Sequence, residues 1–255
     1  MTEKYLEGKT AFISGAYRNL GVEIGAALAG KGARVVLNDL PGSLTEDQKK
    51  DLLAETEKWE SGVTLMDGDI SSSDAIRELK DRINQEVGDV SIVVNCAGPF
   101  NLSPFLELDD KDWDTVMDVN LKAVYLTTRS FAADMKAAGW GRIVNLSAGS
   151  AFVRNHGVYG LAKAGVRFLT EELALELGPE ITINAIAPGQ IEESLPLIHK
   201  IDPTFGERYT ARAPLGKLVR RRDVAELAAW LCSPGADKIT GETLRIDGGA
   251  EIPRF

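Results

Sequence analysis

The chain alternates short apolar, β-branched runs with longer segments in which apolar residues recur at helical spacing. Runs with strand character occupy residues 10–14, 34–38, 63–66, 90–95, 142–146, 181–187 and 242–246. Several of these runs are apolar on both faces, which requires helices above and below the sheet. This rhythm predicts an α/β fold, a doubly wound parallel sheet in three α/β/α layers.

We predict a single domain over residues 1–255, because no linker, repeat or low-complexity tract divides the chain. The hydrophobic fraction of 44% and the charged fraction of 26% are ordinary for a globular protein of this length. In such a fold the ligand crevice lies outside the carboxyl ends of the strands. Polar residues and glycines that follow each strand are therefore the candidates for function.

The charge balance argues against several partners. The chain carries 29 basic and 38 acidic side chains, and its only basic cluster is the run at 220–222. We therefore expect neither nucleic acid nor anionic membrane as a partner. Cys96 and Cys232 lie in apolar runs and are expected to be buried, reduced thiols in a cytoplasmic protein. No Cys/His spacing is typical of a metal site, so no catalytic metal is predicted.

Tyr159 and Lys163 are four residues apart, so on a helix both side chains leave the same face. A neighbouring ammonium favours the phenolate and lowers the pKa of a tyrosine from about 10. A hydroxyl from Ser147 or Ser150, after the fifth strand, can hydrogen-bond a substrate oxygen. Such pairs also recur on solvated helix faces, so the prediction of proton chemistry depends on the rest of the chain.

The turn after the first strand reads Gly15-Ala16-Tyr17-Arg18-Asn19-Leu20-Gly21. Its spacing is similar to Gly-x-x-x-Gly-x-Gly, a turn that presents a pyrophosphate to the amino end of a helix. Asn19 occupies the middle glycine position, and asparagine tolerates positive φ better than other non-glycine residues. The alternative is a purely structural turn between strand and helix.

Asp39 ends the second strand, where a carboxylate can accept hydrogen bonds from ribose hydroxyls and repel a 2′-phosphate. This favours NAD over NADP as the cofactor. Arg18 argues in the other direction, because a guanidinium in the first turn can bind that phosphate. We give Asp39 the greater weight.

Taken together, these motifs resemble those of the short-chain dehydrogenase/reductase family, over essentially the whole chain. Further matches are Asp69-Ile70, Asn95-Cys96-Ala97-Gly98, Asn120, Pro188-Gly189, Ile239-Thr240-Gly241 and Asp247-Gly248-Gly249. The resemblance implies a Rossmann-like NAD(P)-binding domain. The residues that it places at the cofactor are Gly15, Arg18, Asn19, Leu20, Gly21, Asp39, Asp69, Ile70, Asn95, Ala97, Gly98, Tyr159, Lys163, Pro188, Gly189 and Ile191.

The same resemblance implies an oxidoreductase that interconverts a secondary alcohol and a ketone. Tyr159 is then the general acid/base, Lys163 binds the nicotinamide ribose and lowers the pKa of Tyr159, and Asn120 positions a water. The expected partners are a small alcohol or carbonyl substrate and further copies of the chain in a dimer or tetramer. The alternative is a dinucleotide-binding sensor or scaffold with weak or no turnover.

The catalytic serine is the first departure from the family pattern. Counting along the fifth strand places Ala148 at its position. We expect Ser147, twelve residues before Tyr159, to take the role ahead of Ser150, nine residues before it. A third possibility is that no serine acts.

The second departure is Glu193, which stands where the family commonly has a threonine that binds the carboxamide. Our hypothesis is that Glu192 and Glu193 line a substrate lid at about 190–205 and favour a cationic or polyhydroxy substrate. The alternative is that both face solvent at a helix start, where acids are favoured. His156, beside Arg154 and Asn155, either contacts a ligand or is solvated.

Overall fold

The computed structural model describes residues 4–153, 156–200 and 202–252, and within these ranges seven strands form one sheet. The strands are β1 (Thr10–Ser14), β2 (Arg34–Asp39), β3 (Val63–Asp67), β4 (Ile92–Asn95), β5 (Gly141–Leu146), β6 (Ile181–Pro188) and β7 (Thr243–Ile246). Their spatial order is β3-β2-β1-β4-β5-β6-β7, and every neighbouring pair is parallel. The predicted doubly wound parallel sheet is confirmed.

Helices cover both faces of the sheet. They are α1 (Asn19–Gly30), α2 (Glu46–Thr56), α3 (Ser73–Glu86), α4 (Asp110–Met117), α5 (Ala123–Ala137), α6 (Gly157–Leu177), α7 (Leu195–Ile198), α8 (Phe205–Arg212) and α9 (Arg221–Leu231). Along β1, Ile13 belongs to the cluster under α1 and α9, whereas Phe12 belongs to the cluster under α3 and α5. Successive side chains of the strand therefore pack into two hydrophobic cores, one on each face of the sheet, which confirms the three-layer arrangement.

Local signals begin several of these helices. Ser72 caps α3 by accepting a hydrogen bond from the Ala75 amide, and Asp109 caps α4 by accepting one from the Asp112 amide. The helix that follows Asp109 runs on without a break from α4 into α5, through a π-helical turn at Asp118–Lys122. Such turns often occur at functional sites, and this one carries Asn120.

The segment at 190–205, which the sequence analysis assigned to a substrate lid, is partly helical. It contains a 3₁₀ turn, Glu192–Ser194, followed by α7, and α8 begins at its end. A proline in the first turn of α7 is compatible with helix because that position needs no amide donor. Along the described part of the chain, no helix is long and apolar enough to cross a lipid bilayer.

Candidate active site

The order of the strands reverses between β1 and β4, and the loops after these two strands touch. A Cβ atom added to Gly15 would lie 2.6 Å from Cα of Ala97. The hydroxyl of Ser14 accepts hydrogen bonds from the amides of Cys96 and Ala97, at 3.2 and 3.4 Å. The two loops therefore form the floor of a crevice at the switch point, where open α/β sheets bind their ligands.

The turn after β1 has the conformation that a phosphate-binding loop requires. Gly15 has φ 62°, and Asn19 has φ 55°, the only positive φ of a non-glycine residue in the described ranges. Asn19 thus replaces the expected glycine without loss of the turn. A Cβ atom on Gly21 would lie 2.4 Å from Cα of Ala16, so α1 packs closely on the turn. Because the first turn of α1 carries no acidic residue, its free amides fit the pyrophosphate of a dinucleotide.

Asp39 ends β2 beside this turn. Its carboxylate accepts hydrogen bonds from the amides of Leu40, at 2.9 Å, and Tyr17, at 3.4 Å. The guanidinium of Arg18 donates to the carbonyl of Ser43 at 2.7 Å, so it extends over the loop that follows β2. Both predicted determinants of cofactor choice therefore lie at the same end of the crevice.

A set of hydrogen-bonded side chains that no sequence pattern indicated supports the Asp39 end of the crevice. The hydroxyl of Tyr17 donates to Asp67 at 2.7 Å, and Lys49 pairs with the same carboxylate at 2.8 Å. Burial, together with the hydrogen bond to Asp67, raises the pKa of Tyr17. The sequence offered no signal for these contacts, because 50 residues separate Tyr17 from Asp67.

Three predicted cofactor residues use their side chains elsewhere. Ile70 is buried in the core under α3. Asp69 accepts hydrogen bonds from the amide and hydroxyl of Ser71, at 2.8 and 2.7 Å, and so fixes the turn before α3. Asn95 donates to Asn145 and accepts from Thr127, inside a buried network. The side chains of Ile70 and Asn95 are therefore engaged within the fold, so the predicted contact of these residues with the cofactor would have to come from their backbone.

Tyr159 and Lys163 lie on the first turns of α6, as the spacing predicted. The Lys163 ammonium is 5.7 Å from the centre of the Tyr159 ring and donates to the carbonyl of Leu146 at 2.7 Å. Burial lowers the pKa of Lys163 to about 8. Burial also raises the pKa of Tyr159 to about 12, and the nearby thiol of Cys96 adds to this effect. The expected lowering of the tyrosine pKa is thus absent, because the loss of hydration on burial has the largest influence on it.

Asn120, in the π-helical turn between α4 and α5, also lies close to the Lys163 ammonium. Its amide nitrogen donates to the carbonyls of Pro99 and Val116, both at 3.0 Å, while its buried Oδ1 has no hydrogen-bond partner within the described ranges. A Cβ atom on Gly98 would lie 2.2 Å from this oxygen and 3.2 Å from the Lys163 ammonium. Gly98 therefore leaves room for Asn120 and Lys163 to approach each other, and the partnerless oxygen is suited to bind a water.

The two serines have different environments. The hydroxyl of Ser147 donates to the carbonyl of Lys163 at 2.9 Å and so joins β5 to α6. Ser150 lies in the 3₁₀ turn Gly149–Ala151, and its buried hydroxyl has no partner among the residues described. The hydroxyl of Ser147 is therefore used in packing, whereas that of Ser150 is available to a ligand; which serine acts stays a prediction.

The segment after β6 holds the remaining candidates. Pro188 ends the strand, Gly189 donates to the carbonyl of Ile246, and Ile191 bridges to Val219. A Cβ atom on Gly189 would lie 2.4 Å from the hydroxyl of Tyr209 on α8. That hydroxyl donates to Glu251 at 3.1 Å, a contact that no sequence pattern indicated.

Glu193 does not line a substrate lid. Both of its carboxylate oxygens accept from the amide of Arg221, at 3.2 Å each, so Glu193 caps α9. This contact favours the alternative, an acid at a helix start, over the hypothesis that Glu193 favours a cationic or polyhydroxy substrate, because the free amides there stabilise a carboxylate. Glu192 is exposed.

The histidines add no second centre. His156 immediately precedes α6, and its neighbours Arg154 and Asn155 lie outside the described residues. Over the ranges that the structure covers, no group of three or more His, Cys, Asp or Glu residues could hold a metal ion. Cys232 is buried, whereas Cys96 is only partly buried, at the floor of the crevice.

Comparison with known proteins agrees with this geometry. A family model described as enoyl-(acyl carrier protein) reductase matches residues 15–251. The chain is 32% identical over 251 residues to the 3-oxoacyl-[acyl-carrier-protein] reductase FabG of Pseudomonas aeruginosa, covering 96% of this chain and 98% of that one. It is also 32% identical over 252 residues to a galactitol 2-dehydrogenase (L-tagatose-forming) of Cereibacter sphaeroides, covering 97% and 96%.

Solved structures give the same result. A putative gluconate dehydrogenase from Agrobacterium tumefaciens superposes with a TM-score of 0.90 at 28% identity, over 100% of both chains. A gluconate 5-dehydrogenase from Burkholderia cenocepacia, solved in complex with NADP and tartrate, has a TM-score of 0.88 at 27% identity, over 99% of this chain and 98% of that one. The chain belongs to the short-chain dehydrogenase/reductase family and is an NAD(P)-dependent oxidoreductase.

Proposed function

We propose that this enzyme interconverts a secondary alcohol and a ketone, with Tyr159 as the general acid/base. The observation that carries the proposal is that Lys163 lies beside Tyr159, and that Lys163 and Asn120 both lie close to Gly98. Ser150, whose hydroxyl has no described partner, packs against α6 at Gly160, the residue after Tyr159. Relatives named for galactitol and for 3-oxoacyl groups indicate alcohol and ketone chemistry in the family. The substrate is a small molecule.

A nicotinamide ring, when bound, supplies the hydride acceptor or donor. Tyr159 gives its proton to the substrate oxygen during reduction and takes it back during oxidation. With a pKa of about 12 the phenol is protonated at neutral pH, ready to act as an acid. Oxidation requires the phenolate and therefore added positive charge beside the ring. Lys163 supplies part of this charge and, in our proposal, also binds the cofactor ribose.

We propose that Ser150, rather than Ser147, hydrogen-bonds the substrate oxygen. Ser150→Ala removes a hydroxyl aimed at no other described group, so kcat should fall by about a hundredfold, as for one lost oxyanion donor. Ser147→Ala should instead cost about 1 kcal/mol of stability through the lost bond to Lys163. The reverse pattern, a large kcat loss only in Ser147→Ala, would restore the original assignment.

Asn120 completes the proposed proton path. Its partnerless Oδ1 and the Lys163 ammonium both lie close to Gly98. A water bound to that oxygen is positioned to carry protons between Lys163 and solvent. This role is distinct from a structural one because the amide nitrogen alone already satisfies the backbone of Pro99 and Val116.

For the cofactor we propose NAD in preference to NADP. The carboxylate of Asp39 is held beside the first turn by the amide of Leu40, where it would repel a 2′-phosphate. Arg18 is engaged with the carbonyl of Ser43, which reduces its availability for that phosphate. The relative solved with NADP makes the comparison of the two cofactors a necessary measurement.

A screen of secondary alcohols and ketones tests the function, with reduced nicotinamide followed by its absorbance. We expect turnover that Tyr159→Phe reduces by about a thousandfold or more, while dinucleotide affinity remains. Tyr5→Phe is the matched control and should leave turnover unchanged, because Tyr5 precedes β1 and so lies at the opposite edge of the sheet from the crevice. Dinucleotide binding without any Tyr159-dependent turnover would favour the sensor or scaffold instead.

We also propose that the chain forms a homo-oligomer through α4, α5 and α6. Phe168 on α6 is 64% exposed and Tyr125 on α5 is 41% exposed, on either side of a groove of about 480 Å³. Apolar surface of this kind, on two adjacent helices, is suited to the same surface of another copy. Phe168→Asp should lower the mass measured by light scattering, and an unchanged mass would contradict this interface.

A further inference from the structure

Tyr209 and Glu251 form a hydrogen-bonded pair that the proposed reaction does not use. The Tyr209 hydroxyl donates to Oε1 of Glu251 at 3.1 Å. Tyr209 lies on α8, and Glu251 follows β7, so two distant segments bring the groups together. Both side chains are partly buried rather than solvated.

The pair lies across the loops that end two neighbouring strands of the active site. A Cβ atom on Gly149 would be 3.2 Å from Oε1 of Glu251, and Gly149 directly precedes Ser150. A Cβ atom on Gly189, just after β6, would be 2.4 Å from the Tyr209 hydroxyl. Both glycines therefore admit the pair to the edge of the crevice that holds the proposed substrate oxygen.

Hydrogen bonds to the backbone of Glu251 fix its position. Its amide donates to the Asp247 carboxylate at 3.0 Å, and the Arg245 guanidinium donates to its carbonyl at 3.1 Å. The Phe205 ring stacks on Tyr209, with ring centres 5.9 Å apart. Surroundings that hold both side chains limit the entropy lost when a ligand binds.

The chemistry of the pair selects the ligand. Within the described ranges the Glu251 carboxylate pairs with no lysine or arginine, and Tyr209 satisfies only one of its oxygens. A carboxylate has about four acceptor positions, so the second oxygen can take hydrogen bonds from a ligand. A neutral hydroxyl can donate to Glu251 and accept from its surroundings, whereas an anionic group would be repelled.

We propose that Glu251, held by Tyr209, recognises a second hydroxyl next to the reacting carbinol, so that the substrate is a vicinal diol or polyol. This inference rests on the proposed function, and it names the substrate class of the same site. It keeps the polyhydroxy substrate of the hypothesis about Glu192 and Glu193 but assigns its recognition to Glu251, because the Glu193 carboxylate caps a helix. Glu251 is here a specificity-determining residue.

The test compares matched probes that differ by one hydroxyl. The ratio of kcat/KM is measured for butane-2,3-diol over 2-butanol and for cyclohexane-1,2-diol over cyclohexanol, with 1-amino-2-propanol against propane-1,2-diol as the cationic comparison. We expect the wild type to prefer the diols. Glu251→Gln should lower the diol preference by about ten- to a hundredfold, the effect of losing one hydrogen bond to a charged group.

Two further variants make the result specific. Tyr209→Phe removes the partner of Glu251 and should lower the diol preference by a smaller factor. Glu78→Gln, on the exposed side of α3, makes the same charge change away from the crevice and should leave the ratios unchanged. Unchanged dinucleotide affinity in each variant shows that the fold is intact.

The outcomes separate the two proposals. Tyr159-dependent turnover without a diol preference, or with one that Glu251→Gln leaves intact, overturns the role of Glu251 alone. A preference for the amino alcohol over the diol overturns it in favour of a cationic substrate. No Tyr159-dependent turnover of any alcohol or ketone overturns the proposed function, and this inference with it.

Discussion

The buried ammonium of Lys163 should make the stability of the fold depend on pH in a defined way. Lys163 is 4% exposed, and burial lowers its pKa from the ordinary 10.5 to about 8. At about 1.4 kcal/mol per pKa unit, this difference corresponds to about 3 kcal/mol. The protonated lysine therefore destabilises the cofactor-free folded state by that amount, although its bond to Leu146 offsets part of the cost.

The sign follows from comparing the folded and unfolded chains. Below pH 8 both are protonated at Lys163, so the folded state bears the full cost of the buried charge. Between pH 8 and 10.5 the folded state loses its proton first, and the cost disappears. The Lys163→Met variant has no titratable group at this position, so this site adds no pH dependence to its stability. The gain in unfolding free energy from Lys163→Met should therefore be about 3 kcal/mol larger at pH 7 than at pH 10.5.

Urea unfolding, followed by circular dichroism at fixed protein concentration without cofactor, measures this difference across the pH range. Loss of the hydrogen bond to Leu146 shifts the whole Lys163→Met curve but not its dependence on pH. Lys50→Met, on the exposed surface of α2, is the control and should follow the wild type at every pH. Parallel curves for Lys163→Met and wild type would refute the reasoning, as would a gain that grows with pH.

Three other substitutions have expected outcomes. Gly98→Ala places a methyl group 2.2 Å from Asn120 Oδ1, so kcat/KM should fall by about a hundredfold. The control Gly30→Ala has open space around the added methyl group and should leave kcat/KM unchanged. Equal activities of the two variants would contradict the packing at Gly98. Glu193→Ala should cost about 1 kcal/mol in urea unfolding through the lost cap of α9, with unchanged substrate preference. Asp39→Ala should shift the NADP/NAD ratio of kcat/KM upward by about tenfold or more, and a static ratio would oppose the assignment of NAD.

Much of the fold could be read from local sequence patterns. The apolar runs marked the strands to within about two residues, and the caps of α3 and α4, Ser72 and Asp109, are residue types that favour a helix start. Asn19 was correctly predicted to tolerate positive φ, because that property belongs to the residue and its turn. The Tyr159 and Lys163 pair was equally accessible, since four residues on a helix define one face.

The sequence by itself therefore determined the strands, most of the helices, the parallel character of the sheet and the helix face shared by Tyr159 and Lys163, because these depend on short-range periodicity and backbone preference. Only the tertiary structure decided that Ser147 binds a backbone carbonyl while Ser150 remains available, and that burial raises the pKa of Tyr159. It likewise joined Tyr209 to Glu251 across 42 residues. Hydrogen-bond partners and desolvation depend on which segments, distant in sequence, come into contact, and no local sequence pattern specifies those contacts.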